Sequence, residues 1–141
     1  MTTPLTLDDF PSRTYDKIRY ADTDRQGHVN NAVFSTFLET GRVAFLYHPE
    51  HPVLADGASF VIASLHLDFL REITWPGQVD IGTGVVRIGS SSLTLLQQLF
   101  QHDRCVASAK TVIVQVDDAT GRSKPLTQKA KEQLGKWVLE K

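Results

Sequence analysis

The chain has 141 residues, of which 41% are hydrophobic and 22% charged, a composition typical of globular proteins and unlike that of disordered or fibrous ones. Fifteen Lys and Arg residues against sixteen Asp and Glu residues give a formal net charge of -1, which argues against a nucleic-acid-binding protein. No internal repeat or linker-like segment divides the chain, so we expect residues 1–141 to form a single domain.

Cys105 is the only cysteine, which excludes an intrachain disulfide and a zinc site built from several thiolates. The first residues lack the basic and apolar runs of a signal peptide, and no stretch approaches the ~18 apolar residues of a membrane span. We therefore expect a cytoplasmic protein that has no membrane segment. His48 and His51 each precede a proline, which excludes the helical geometry of a zincin motif, and no metal site is predicted.

Hydrophobic periodicity predicts a strand followed by one long helix. Apolar residues among polar ones indicate a first strand from Thr14 to Ala21. The spacing then becomes helical after Asn30 or Asn31, either of which can cap the first turn. The apolar face of this helix comprises Phe34, Phe37, Leu38, Gly41 and Phe45. Because glycine costs about 1 kcal/mol in a helix interior relative to alanine, Gly41 is expected to approach packed strands closely.

The remainder of the chain is predicted to be mostly strand. Alternation and turn residues indicate four further strands, around Leu65–Phe69, Val79–Val86, Leu93–Phe100 and Val106–Val116. A short C-terminal helix is expected to start at Thr127 and to include Ala130, Leu134, Trp137 and Val138. A single long helix with an antiparallel strand meander predicts an α+β fold, in which the sheet covers the apolar face of the helix.

The segment from Asp22 to Asn31, DTDRQGHVNN, carries the residues best suited to catalysis. It places carboxylates and an imidazole directly before a helix N-terminus, where unpaired N–H groups favour an anion or a developing oxyanion. A second interpretation gives these residues no catalytic role. In it, Asp22 and Asp24 are turn residues, Gly27 supplies a positive φ, and Asn30 is only a helix cap.

This segment, followed by a helix that contains residues 37–39 and Arg42, resembles the 4-hydroxybenzoyl-CoA thioesterase family of hotdog-fold acyl-CoA thioesterases. The resemblance extends over most of the chain, since Leu65–Trp75 is similar to the family's second strand and Val85–Leu99 to its third and fourth. It implies a hotdog fold, in which an antiparallel sheet of five strands or so wraps around one long helix.

The resemblance also implies roles for individual residues. Asp24 is expected to be the catalytic carboxylate, acting as a nucleophile or as a base that activates water. The N–H of Asn31 is expected to donate to the thioester carbonyl. Gly27 lets the backbone pass close to the acyl group, while His28 and Asn30 are expected to line the pocket. No cofactor is expected, because coenzyme A is part of the substrate.

The resemblance places contacts to the CoA nucleotide at the turn between two long strands, which gives Arg87, Ser90 and Ser91 as substrate-binding candidates. The sequence departs here from the aromatic-specific members of the family, which carry a basic run at this turn. Specificity for the 4-hydroxybenzoyl group is therefore not implied. Arg104 and the basic residues of a neighbouring subunit are alternative phosphate ligands, and a turn without any ligand is equally compatible with these residues.

Glu39 adds a carboxylate on the long helix, and some hotdog enzymes use an acid at such a position. Arg42 follows three residues later on the same helix. Side chains at this spacing are neighbours, so we expect an ion pair between Glu39 and Arg42.

The sequence thus predicts an acyl-CoA thioesterase that releases a free acid and CoA. The alternatives are a thioesterase acting on acyl-carrier proteins and a non-catalytic acyl-CoA-binding hotdog protein, in which Asp24 is only a turn residue. One sheet over one helix leaves apolar positions such as Val112, Val114 and Val116 without cover. We therefore expect a homo-oligomer, a dimer at least and a homotetramer as the favoured form.

Overall fold

A computed structural model describes residues 4–50 and 52–140, in which an antiparallel five-stranded sheet has the strand order β1-β3-β4-β5-β2. The strands are β1 (Ser12–Lys17), β2 (Ala58–Phe69), β3 (Gln78–Ile88), β4 (Ser92–Gln101) and β5 (Arg104–Asp117). The helices are α1 (Asn31–Leu46) and α2 (Gln128–Gly135), and short 3-10 turns cover Leu7–Asp9 and Tyr20–Asp22. His51, considered above with His48, lies outside the described residues.

Helix α1 packs its apolar face against the sheet, as predicted. Its side chains Phe34, Phe37, Leu38 and Phe45 are each at most 2% exposed. The predicted close approach of Gly41 is confirmed: a Cβ atom there would lie 2.5 Å from Ile81 Cγ2 and 2.6 Å from Gln97 Nε2. The helix therefore sits as near to β3 and β4 as a glycine permits.

The four residues predicted to face inward on β3, Val79, Ile81, Thr83 and Val85, are all buried. Gly82 and Gly84 between them are buried as well, because Phe10 and Leu139 lie against them, so burial does not alternate through the middle of the strand. By contrast, β2 begins at Ala58, well before the predicted start, and ends at Phe69 rather than at Trp75. Most residues of β2 are exposed because this strand lies at the sheet edge and pairs only with β5. A register shift between Ile62 and Ser64 interrupts the alternation, so the pattern at Leu65–Phe69 does not extend back to Ala58.

The first strand ends at Lys17, so the prediction that it reaches Ala21 is wrong. The chain turns because the Asp22 carboxylate accepts a hydrogen bond from the Arg19 N–H at 2.8 Å, which closes a 3-10 turn at Tyr20–Asp22. This turn directs the next residues away from the sheet and toward the start of α1.

The C-terminal helix α2 begins after Thr127 as predicted, and Thr127 Oγ1 accepts from the Ala130 N–H at 3.0 Å. Its predicted extension through Trp137 and Val138 is wrong, because the helix ends at Gly135. Trp137 instead lies alongside β3, where its carbonyl accepts from the Val85 N–H at 2.8 Å. Backbone pairing with the sheet replaces the last helical turn.

Candidate active site

The loop that follows β1 lies against the segment that immediately precedes β3. The Val29 N–H donates to the Ile73 carbonyl at 2.8 Å, and His28 forms an isolated antiparallel bridge with Thr74. The Ile18 N–H donates to the Gly77 carbonyl at 2.9 Å. These bonds place the loop at the end of the sheet where β3 begins.

Asp22 holds this loop in shape. Its side chain is almost completely buried and accepts from both the Arg19 N–H and Arg19 Nη2 at 2.8 Å. Burial alone would raise the pKa of Asp22, but the hydrogen bonds from Arg19 and its positive charge outweigh burial and lower this pKa. The Asp22 carbonyl also accepts from the Asn30 N–H at 2.8 Å. Asp22 is therefore a structural residue that connects the turn to the start of α1.

Asp24 is exposed, and its two carboxylate oxygens differ in their surroundings. Oδ1 accepts from the Gln26 N–H at 2.8 Å and, at a longer 3.3 Å, from the His28 N–H. Gly27 completes this tight turn with the predicted positive φ of 84°. Oδ2 accepts no hydrogen bond from the residues that the structure describes. One oxygen thus stabilises the turn, and the other is free to react.

Asn30 caps α1, because its Oδ1 accepts from the Ala32 N–H at 3.0 Å and its carbonyl accepts from the Val33 N–H at 2.9 Å. Among residues 4–50 and 52–140, nothing accepts from the Asn31 N–H. Asn31 therefore presents a free donor at the positive end of the helix dipole. Such a donor suits a carbonyl oxygen that gains negative charge.

A cavity of about 350 Å³ brings these groups together. This volume is at the lower end of the range for small-molecule sites. The rings of Phe34 and Phe69 pack edge to face with their centroids 5.0 Å apart and form part of an apolar wall. The cavity is lined by Asp24, Gln26, His28, Val29, Asn31, Phe34, Phe69, Leu70, Arg71 and Glu72. Of the predicted site residues, Asp24, His28 and Asn31 line it, whereas Gly27 and Asn30 shape the adjoining backbone.

Arg71 and Glu72 are cavity residues that sequence reasoning missed. Glu72 Oε2 lies 3.0 Å from His28 Nε2. Arg71 also lines a second cavity of about 740 Å³, which includes Arg104 and shares Leu70 with the first one. Two charged residues shortly after a strand are common in sequences. Nothing in the residues around them indicates that they will contact a loop that is distant in the chain.

Arg87, Ser90 and Ser91 lie at the opposite end of β3 from the Asp24 loop. The strand has 11 residues, which at about 3.3 Å each separate its ends by roughly 35 Å. The carbonyls of Ser90 and Ser91 accept backbone hydrogen bonds of 2.8 Å from Leu126 and Gln115. Within one chain, this turn is therefore not brought to the cavity that contains Asp24.

The expected contact between Arg42 and Glu39 does not form. Arg42 lies beside Gly41 under the helix, where it is 8% exposed and its Nη1 donates to Gln97 Oε1 at a long 3.5 Å. Burial lowers the pKa of Arg42 by more than the charges of Glu39 and Tyr47 raise it. The close packing of this helical turn on the sheet turns Arg42 inward, while Glu39 stays exposed.

In the part of the chain that the structure describes, no helix is both long enough and apolar enough to cross a membrane. The same residues contain no cluster of three His, Cys, Asp or Glu side chains placed to hold a metal ion.

Comparisons with known proteins identify the family. Residues 18–134 match the model of the thioesterase-like superfamily. The chain is 29% identical over 119 residues to the uncharacterized protein YsmA of Bacillus subtilis, covering 83% of this chain and 80% of that one. It is 25% identical over 112 residues to the acyl-CoA thioester hydrolase YbgC of Escherichia coli, covering 77% of this chain and 81% of that one.

Among solved structures, a thioesterase of Thermus thermophilus complexed with coenzyme A and zinc is similar, with a TM-score of 0.78 and 30% sequence identity. The similarity covers 90% of this chain and 93% of the Thermus chain. The sheet that wraps α1, the family match and this structural likeness agree with one another. The chain therefore belongs to the thioesterase-like superfamily and is a hotdog-fold thioester hydrolase.

Proposed function

We propose that this enzyme hydrolyses acyl-CoA thioesters to a free acid and CoA, with Asp24 as the catalytic carboxylate and the Asn31 N–H as the oxyanion donor. The observation that supports these roles most strongly is that Asp24, which has a carboxylate oxygen without a hydrogen bond from the described residues, and Asn31, whose N–H has no acceptor among them, line the same cavity. The acyl-CoA substrate is supported by the names of two similar proteins, YbgC and the CoA-bound Thermus thioesterase.

The chemistry requires two contributions. A thioester carbonyl that accepts from the Asn31 N–H becomes more electrophilic, and one such donor contributes about 10²–10³-fold to the rate. Asp24 Oδ2 then either attacks the carbonyl carbon and expels the CoA thiolate, or takes a proton from the water molecule that attacks. A positioned base contributes about 10²–10⁴-fold. The first route forms a mixed anhydride that water hydrolyses, and both routes end in the same acid and thiol.

For the phosphates of CoA, Arg71 is the cation that lines the Asp24 cavity, and we assign it a binding role. Arg87, Ser90 and Ser91 keep the binding role proposed from the sequence under one condition. Because they lie at the far end of β3, a different subunit must present them to the bound substrate.

The edge strand β2 supports a homo-oligomer. Val61, Ile62, Leu65 and Phe69 on this strand are between 39% and 50% exposed, and its outer edge has no partner strand among the described residues. Exposed apolar edges of this kind invite pairing with another chain. We propose a dimer formed through β2 and, as predicted from the sequence, further assembly into a tetramer.

A thiol-release assay with matched acyl-CoA and acyl-carrier-protein substrates tests this function. We expect turnover of acyl-CoA with a higher kcat/KM than for the carrier-protein thioester of the same acid. Turnover of the carrier-protein thioesters alone would instead support the acyl-carrier-protein alternative. Saturable binding of acyl-CoA without turnover would contradict the catalytic roles given to Asp24 and Asn31.

A further inference from the structure

His28 and Glu72 form a histidine–carboxylate pair on the wall of the Asp24 cavity. His28 Nε2 lies 3.0 Å from Glu72 Oε2, and both residues line the cavity. The His28 side chain is 31% exposed, so most of the ring lies against the protein and only part of it meets solvent. The proposed hydrolysis does not yet use this pair.

The backbone fixes the direction of Glu72. The preceding Arg71 N–H donates to the Val106 carbonyl at 3.0 Å, and the following Ile73 carbonyl accepts from Val29 at 2.8 Å. Ile73 is fully buried, whereas the Glu72 side chain is 67% exposed and lines the cavity. Because the backbone on both sides of Glu72 is held by hydrogen bonds, this side chain starts from a fixed point beside His28.

The backbone of His28 is joined directly to the catalytic turn. The Asp24 N–H donates to the His28 carbonyl at 2.8 Å, and the His28 N–H approaches Asp24 Oδ1 at 3.3 Å. The backbone of His28 and the position of Asp24 are therefore set by the same short turn. Only the ring is left for Glu72 to fix.

A carboxylate bound at one ring nitrogen determines what the other nitrogen can do. When the Nε2–H of a neutral imidazole is donated to a carboxylate, the lone pair lies on Nδ1, which is then a hydrogen-bond acceptor. Every CoA thioester has an amide N–H two carbons beyond the sulfur, in the pantetheine arm. That group is a neutral donor separated by a small and constant number of bonds from the carbonyl that Asp24 would attack.

We propose that Glu72 is a positioning residue that holds His28 as the acceptor for the amide N–H of the pantetheine arm. This inference rests on the thioesterase function proposed above, and it adds a subsite that recognises the thiol half of the substrate. Glu72 acts through His28, so removing either side chain should have one shared effect, which is weaker substrate binding.

The test is a double-variant cycle with His28→Ala, Glu72→Ala and both together, using one acyl-CoA. We expect each single variant to raise KM by about three- to tenfold, the range for one neutral hydrogen bond, with little change in kcat. The double variant should be no worse than His28→Ala alone. Glu72→Asp should recover part of the loss. Glu132→Ala, an exposed change on α2, is the matched control and should leave KM unchanged.

The second arm compares two short thioesters of the same acid, one of N-acetylcysteamine, which keeps the amide, and one of butanethiol, which lacks it. Wild type should favour the amide-bearing thioester in kcat/KM, and Glu72→Ala should reduce that preference. Additive effects in the cycle, or equal losses on both thioesters with unchanged melting temperatures, would overturn the proposal. If wild type hydrolyses no thioester at all, the proposed function itself fails, which is a different outcome from additivity.

Discussion

Asp22 and Arg19 form a closed unit directly before the turn that carries Asp24, because the Asp22 carboxylate accepts from both the N–H and the guanidinium of Arg19 at 2.8 Å. Two residues later, the Asp24 carboxylate is exposed and keeps one oxygen free of hydrogen bonds from the described residues. The first aspartate of this motif thus holds the turn, and the second presents the carboxylate that we propose as catalytic.

Asp22→Asn should lower the melting temperature by a few degrees at neutral pH, because the neutral amide weakens both bonds from Arg19. The pKa of Asp22 is lowered in the folded protein, so the carboxylate stabilises the fold above its unfolded pKa of about 3.9. That contribution is lost as the pH falls through the still lower folded pKa. Melting curves of the two proteins should therefore converge in strong acid. A difference that stayed constant down to pH 2 would rule out this electrostatic account.

Gly41→Ala should destabilise the protein even though alanine favours helices by about 1 kcal/mol over glycine. The new Cβ would lie 2.5 Å from Ile81 Cγ2, and such overpacking typically costs about 1–3 kcal/mol. Gly135→Ala is the matched control, because nothing lies within 4 Å of a Cβ there. Urea unfolding should show a loss for the first variant and no loss for the second. Equal stability of both variants would contradict the packing described for α1.

The features that could be predicted from the sequence are those determined by residues close together in the chain. The cap at Asn30, the close approach at Gly41 and the inward-facing residues of β3 each follow from a few neighbouring residues, and all three are confirmed. The start of β2 was not predictable, because a register shift between Ile62 and Ser64 interrupts the apolar alternation that is seen at Leu65–Phe69.

The candidate site was predictable only in part for a related reason. The Asp22–Asn31 segment is continuous, so its carboxylates, glycine and cap could be interpreted directly from the sequence. Arg71 and Glu72 reach the same cavity through backbone pairing between distant segments. Nothing in their own neighbourhood marks them, and the end of the first strand was missed because a side-chain bond from Asp22 closes the 3-10 turn there.

Arg71→Ala and Arg87→Ala should both raise KM for acyl-CoA more than they lower kcat, since each removes binding that is uniform along the reaction. Arg71 lines the Asp24 cavity of its own chain, so its effect should persist in any oligomeric state. Arg87 lies at the far end of β3, so its effect should depend on assembly. Steady-state kinetics at protein concentrations above and below the dissociation constant of the oligomer distinguish the effects of the two variants. An Arg87 effect that is unchanged in the monomer would contradict this assignment.

Leu65→Lys should disrupt the oligomer, because it places a charge on the exposed apolar edge of β2. Light scattering should then report a smaller particle than for wild type at micromolar concentration. Val86→Lys, at a similarly exposed position on β3, is the control and should keep the dimer. A wild-type protein that is an active monomer would refute the proposed β2 interface.

Asp24→Asn tests the central claim most directly. Asparagine keeps an oxygen that can accept from the Gln26 N–H, so the turn and the melting temperature should survive. It removes the negative charge that attacks the thioester or deprotonates water, so kcat for acyl-CoA should fall by at least about 10²-fold while substrate still binds. Asp22→Asn is the control and should lose far less activity. A folded Asp24→Asn variant that keeps more than about a third of wild-type kcat, with chemistry rate-limiting, would contradict the assignment of Asp24 as the catalytic carboxylate.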